Sequence, residues 1–218
     1  MLHQLDIPVS TVTIFSMLVL GLSLFRISLK VKWPLLVMGS LGLSCFSYIL
    51  SKLHAQTVTP MLVIIMQAIL IHYLFQVRKL HSLMVAFLGA LGYSIYLAIV
   101  LFLAPLLTAI SLNDYFYDMV LSSRVLKLIA ASLAFVTSYV LIRRRLGFTV
   151  RIEISPRNLR YPHSNALTSV VLLTFVLFSL TYYAVTLHLA AIFYFAVVFC
   201  GLLIWILYLL FKKEMEEN

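Results

Sequence analysis

Few side chains in this sequence could carry chemistry, and the densest polar group lies inside one apolar stretch. Gln67 is near the middle of residues 58–77, and His72 and Gln76 follow it, four residues apart. On a helix this spacing would place His72 and Gln76 on one face. Polar residues in an apolar helix often contact a substrate, but they also bond neighbouring helices. We expect the three side chains to form one polar face, with packing as its simpler role.

The wider sequence does not supply partners for catalysis. An imidazole such as His72 relays protons when a carboxylate orients it, and none of the long apolar stretches contains Asp or Glu. The chain has no HExxH and no Gly-x-Ser-Gly motif with a partnered histidine. Cys45 and Cys200 both lie in apolar stretches, which favours buried thiols over a disulfide or a CxxC site. We therefore predict no catalytic residue, no metal site and no cofactor.

The composition indicates the kind of secondary structure in which these residues lie. The 218-residue chain is 63% hydrophobic and 11% charged, with a mean hydropathy of +1.09, whereas soluble domains carry about 25% charged residues. The sequence therefore predicts an all-α, polytopic integral membrane protein with a single transmembrane domain over 1–218. A span needs roughly 20 apolar residues. Seven stretches are predicted as spans: 9–29, 33–51, 58–77, 82–108, 124–143, 166–186 and 189–211.

Positive charge alternates between the connections and orients the predicted helices. Thirteen Lys and Arg residues fall on one side, and three, Lys52, Arg124 and Lys127, fall on the other. Short basic loops stay on the cytoplasmic side, so the amino terminus is predicted outside a cell membrane and the carboxyl terminus inside. Six arginines lie in or beside the basic cytoplasmic loop 144–165: Arg143, Arg144, Arg145, Arg151, Arg157 and Arg160.

The net charge of +9 would suggest a nucleic-acid partner in a soluble protein. Here the basic residues lie between apolar spans, where they serve insertion and contact anionic lipid headgroups. The partners that we expect are therefore the lipid bilayer, including its anionic headgroups, and a cytosolic or membrane protein at the basic loop. No nucleic acid is expected.

Residues 110–123 form the only sizeable connection on the predicted outer side. Asp114 and Asp118 enclose Tyr115, Phe116 and Tyr117. If this segment is helical, it would lie flat, with its aromatic rings at the headgroups and its carboxylates in water. It is either an interfacial connector or a ligand-binding surface for a peptide or a small cationic molecule. The second interpretation makes these five residues the candidate ligand-binding residues.

Small residues cluster in three predicted spans and recur every four residues in two of them. Such stripes let helix backbones approach closely in lipid, where packing drives association. We expect them to form helix–helix contacts rather than a ligand groove. They are Gly39, Ser40, Gly42 and Ser44; Ala86, Ala90 and Ser94; and Ala130, Ala134 and Ser138.

The layout of the chain resembles the membrane sensor of Agr-type and related Gram-positive peptide-sensing histidine kinases. Closely spaced helices, short outer connections and a last span that runs into the charged segment LYLLFKKEMEEN carry the resemblance. It implies a receptor or sensor that recognises a small or peptidic ligand outside and passes a signal to a cytosolic or membrane partner. The sequence ends at Asn218 without a kinase domain, so we expect a sensor module without its own enzyme domain.

Two other functions stay open on the sequence. A small permease or lipid-handling subunit would use the polar face of the third span. An enzyme is the third alternative, because residues 157–164, RNLRYPHS, are similar to the Arg-His-Pro-Tyr stretch of membrane isoprenylcysteine-type methyltransferases. In this sequence the histidine follows the proline, and the carboxylate expected after the histidine is missing.

Overall fold

The computed structural model describes residues 6–27, 32–53, 58–108 and 120–147, and seven positions between 197 and 208. The four long segments form five helices: α1 (Asp6–Leu24), α2 (Trp33–Lys52), α3 (Thr59–Phe75), α4 (Lys79–Thr108) and α5 (Val120–Arg144). The seven later positions are also helical. The described part of the chain is therefore all-α, as the composition predicts.

Four of these helices, α1, α2, α4 and α5, contain candidate membrane spans by length and composition. The third helix, α3, is apolar but has only 17 residues, which is the lower end of the range for a span. The described helices support a membrane location. The predicted span 166–186 lies outside the described residues, and only isolated positions of 189–211 are described, so the count of seven spans stays a prediction.

Helices α1 and α4 are the centre of the bundle, because α1 packs against α2, α4 and α5, and α4 packs against α1, α3 and α5. Their backbones meet at two glycines. A Cβ atom added at Gly21 would collide with the carbonyl oxygen of Val85, and one added at Gly89 would collide with that of Met17. Position 17 thus faces 89 and position 21 faces 85, so the two helices run antiparallel.

The predicted small-residue stripes lie mostly at helix contacts. Ala130, Ala134 and Ser138 of α5 are buried and α5 packs on α1 and α4, so that stripe is confirmed as packing. Ala86 and Ala90 of α4 are buried as well. Gly42 of α2 is the exception, since a Cβ added there would meet nothing within 4 Å.

Local sequence explains several helix ends. Prolines occupy the first turns of α2 and α3, where the missing N–H is not needed. Helices α1 and α5 end in the same hydrogen-bond pattern, the Schellman motif. The Arg26 and Ile27 amides donate to the Ser23 and Leu22 carbonyls, both at 3.1 Å. In α5, the Arg145 amide donates to Ile142 at 3.3 Å and the Leu146 amide donates to Leu141 at 3.0 Å.

Candidate functional site

Gln67 of α3 is completely buried and faces α1. Its Nε2 donates a weak hydrogen bond to the Met17 sulfur at 3.8 Å. Its Oε1 has no hydrogen-bond partner among the residues that the structure describes. A buried amide oxygen without a partner costs about 1–3 kcal/mol, so Gln67 is an unusual residue for a position that only packs.

His72 and Gln76 do not continue a polar face from Gln67. Helix α3 ends at Phe75, and Gln76 is its exposed C-cap residue with a left-handed φ of +54°. The His72 Nδ1 lies 2.5 Å from the carbonyl oxygen of Val77, so this nitrogen carries the hydrogen and donates it. His72 thus holds the chain where it leaves α3. The prediction of one helical face for the three side chains is corrected, because the helix stops before Gln76.

Of the remaining sequence-predicted site residues, some lie within the described range and others lie outside it. The ligand-binding candidates Asp114, Tyr115, Phe116, Tyr117 and Asp118 lie outside it, as do Arg151, Arg157 and Arg160. Arg143 and Arg144 form the last turn of α5, and Arg145 follows the helix with a left-handed φ of +52°. The outer loop and most of the basic loop therefore stay predictions.

An ion pair that the sequence does not reveal joins the starts of α1 and α5. The Arg124 Nε and Nη2 atoms lie 2.9 Å and 2.8 Å from the Asp6 Oδ1 atom. The Arg124 side chain is 5% exposed and the Asp6 side chain 36%. A buried guanidinium is costly unless a carboxylate accepts its hydrogen bonds. Asp6 also lies in the first turn of α1, where the helix dipole favours a negative charge.

The other end of the bundle is strongly basic. The Lys32 ammonium group donates to the carbonyl of Leu74 and lies 5.2 Å from the centre of the Phe75 ring, so the start of α2 meets the end of α3. Within the described segments, Asp6 is the only carboxylate, and it lies at the opposite end. Seven of the ten described Lys and Arg residues are at this basic end: Arg26, Lys32, Arg78, Lys79, Arg143, Arg144 and Arg145.

Helix α5 contacts α1 at both ends of the bundle. At one end Arg124 binds Asp6. At the other, Gly147 follows α5 with a φ of +133°, and a Cβ added there would lie 2.5 Å from the Leu24 carbonyl oxygen. Between the two contacts the Phe135 ring of α5 lies 5.7 Å from the Phe15 ring of α1. The buried residues of α5 there are Leu126, Ala130, Ala131, Ala134 and Ser138. The helix therefore links a charged pair at one end to the basic end at the other.

Comparison with protein-family models, with curated proteins and with solved structures finds no match. No group of three or more His, Cys, Asp or Glu side chains in the described residues could hold a metal ion. A function for this chain is therefore proposed from its geometry and its sequence.

Proposed function

We propose that the chain is a multi-pass receptor or sensor of the cell membrane. It takes a peptide or small-molecule ligand at its outer end and passes movement of α5 to a cytosolic or membrane protein partner. The observation that carries this proposal is the Asp6–Arg124 ion pair, because it fixes the start of α5 to α1. Helix α5 starts only two residues after Asp118 of the candidate ligand-binding loop.

The shape of α5 suits transmission. Its 25 residues span about 37 Å at the α-helical rise, which exceeds the hydrocarbon core of a bilayer. Its buried face carries the small residues Ala130, Ala131 and Ala134 beside Leu126, and its Phe135 ring lies 5.7 Å from the Phe15 ring of α1. A ligand that competes with the ion pair would free the outer end of α5. The resulting shift would reach Arg143 and the basic loop, where the partner would bind.

The proposal includes seven spans with the amino terminus outside, which the distribution of basic residues supports. In a variant whose Cys45 and Cys200 are serine, Asn113→Cys and Thr186→Cys should react with a membrane-impermeant maleimide in intact cells. Asn158→Cys should react only after permeabilisation. Labelling of position 158 in intact cells would reverse the orientation.

Movement of α5 can be tested without the ligand. In the same cysteine-free background, Leu146→Cys reports on the inner end of α5, where Leu146 is 51% exposed. Removing the ion pair with Asp6→Asn and Arg124→Gln together leaves no buried charge unpaired. It should change the rate of N-ethylmaleimide reaction at position 146 in native membranes by about 2- to 30-fold, the range that coupling energies of 0.5–2 kcal/mol give.

The control is Tyr73→Cys at the same end of the bundle, on α3, where Tyr73 is 77% exposed. Its reaction rate should not respond to loss of the ion pair. Unchanged rates at both positions would contradict transmission by α5. A change at both would show a general loosening of the bundle and would also contradict it.

A second candidate function is a small permease or lipid-handling subunit. The observation in its favour is Gln67, whose buried Oε1 lacks a hydrogen-bond partner within the described segments. A polar solute that donates a hydrogen bond between α1 and α3 would satisfy it. The enzyme alternative rests on residues 157–164, which lie outside the described residues.

A further inference from the structure

Two arginines occupy the left-handed position that ends a helix. Arg26 follows α1 with a φ of +50°, and Arg145 follows α5 with a φ of +52°. Both side chains are exposed. Each amide makes the hydrogen bond that the Schellman motif requires of this position. The two helix ends are therefore built alike, with a guanidinium at the same place in each.

Glycine is the usual residue at this position, because any Cβ atom strains a left-handed backbone. An arginine at this position does not relieve the strain of the left-handed backbone. Residues in disfavoured conformations persist where the surrounding structure fixes them and where the side chain has a use. Gln76 takes the same conformation at the end of α3 without a charge, so the strain alone does not define a site. What Arg26 and Arg145 add is positive charge that both expose at the surface.

The two arginines flank one contact between neighbouring helices. Arg26 lies two residues after Leu24, and Arg145 lies two residues before Gly147, which packs against the Leu24 carbonyl oxygen. Arg143 and Arg144 end α5 beside them. The one carboxylate of the described segments, Asp6, is at the opposite end of the bundle. This surface is therefore strongly positive and complementary to an anion.

We propose that Arg26 and Arg145 together bind the phosphodiester headgroup of an anionic phospholipid in the inner leaflet. Guanidinium groups match phosphate oxygens in bidentate geometry. A lipid rather than a soluble phosphate is favoured because both arginines follow apolar helices, at the depth where headgroups lie. The inner-leaflet placement rests on the orientation proposed above, whereas the pairing of the two arginines on one headgroup does not depend on the sensor function.

The test replaces both arginines by the residue that their backbone prefers. In neutral detergent, Arg26→Gly with Arg145→Gly should melt at the wild-type temperature or above, because glycine relieves the left-handed strain. Phosphatidylglycerol is then titrated into the micelles of the full-length protein while the melting temperature is followed. The apparent affinity should fall about fivefold for each arginine and about 30-fold for both.

The matched control is Arg143→Gln with Arg144→Gln, which removes the same charge at the same end from helical positions. Its apparent affinity for phosphatidylglycerol should fall clearly less than that of the glycine variant. Equal losses would overturn the site in favour of diffuse surface charge. A lower melting temperature of the glycine variant in neutral detergent would show that the arginines are structural.

A titration with inorganic phosphate distinguishes a lipid headgroup from a soluble phosphate as the bound anion. It should not raise the melting temperature of the wild-type protein in neutral detergent, whereas phosphatidylglycerol should. A rise with inorganic phosphate that disappears in the glycine variant would overturn the lipid assignment and assign the two arginines to a soluble phosphate.

Discussion

Gly89→Ala is expected to destabilise the protein more than any other single methyl addition among the described glycines of α1, α2 and α4. The new Cβ would collide with the Met17 carbonyl oxygen and would lie 3.1 Å from the Gly21 nitrogen. Both neighbours are backbone atoms at the crossing of the two central helices, so neither can rotate away. Overpacking a core costs about 1–3 kcal/mol, and we expect about 3 kcal/mol here. Thermal unfolding in detergent measures the loss.

The control for this prediction is Gly42→Ala, the same substitution on a neighbouring helix. A Cβ added at Gly42 meets nothing within 4 Å, and alanine favours a helix over glycine by about 1 kcal/mol. This variant should melt at the wild-type temperature or slightly above. Equal melting temperatures for the two variants would show that α1 and α4 do not cross at Gly89 as described.

Asp6→Asn is expected to cost about 3 kcal/mol, because it removes a carboxylate that binds the buried Arg124 guanidinium. Arg124→Gln should cost less, since it removes the buried charge, and the remaining Asp6 carboxylate is 36% exposed and can be hydrated. The double variant should be more stable than Asp6→Asn alone. The free energy of unfolding of the three variants, measured by denaturant titration in detergent, tests this order.

Lys52→Gln provides the control for charge loss at the same end of the bundle. Lys52 is exposed at the end of α2, with its ammonium group 5.0 Å from the centre of the Tyr48 ring. An exposed contact of this kind contributes about 0.5–1 kcal/mol, so the change should be small. If Asp6→Asn were no worse than Lys52→Gln, the ion pair would not stabilise the bundle.

Sequence alone predicts the features that depend on neighbouring residues of one helix. The all-α class follows from long apolar stretches, and the buried stripe of Ala130, Ala134 and Ser138 follows from a spacing of four. Both are properties of a single segment. The close approach at Gly21 and Gly89 was not predicted, because it depends on which two helices cross and at what height.

The candidate site was harder to predict, since its main contact is distant in sequence. Asp6 and Arg124 are 118 residues apart, and the predicted fifth span begins at Arg124, whereas α5 begins at Val120. A charged residue such as Arg124 is normally expected at the end of an apolar span. Here a carboxylate that is distant in sequence binds it, so it lies buried inside the helix. Gln76 falls inside the predicted span 58–77, and the sequence does not mark the helix end there, because a left-handed cap is expected at glycine rather than glutamine.

The separation of Asp6 and Arg124 along the sequence also determines the order in which contacts become possible during synthesis. At about 5–20 residues per second, Arg124 leaves the ribosome roughly 6–24 s after Asp6. The glycine crossing with α4 becomes available earlier, because Val85 and Gly89 precede Arg124 in the chain. Helix α1 can therefore contact α4 before Arg124 has been synthesised. The nascent chain must keep Asp6 at the aqueous surface during that interval, which favours a carboxylate on the first residue of the helix over one placed deeper.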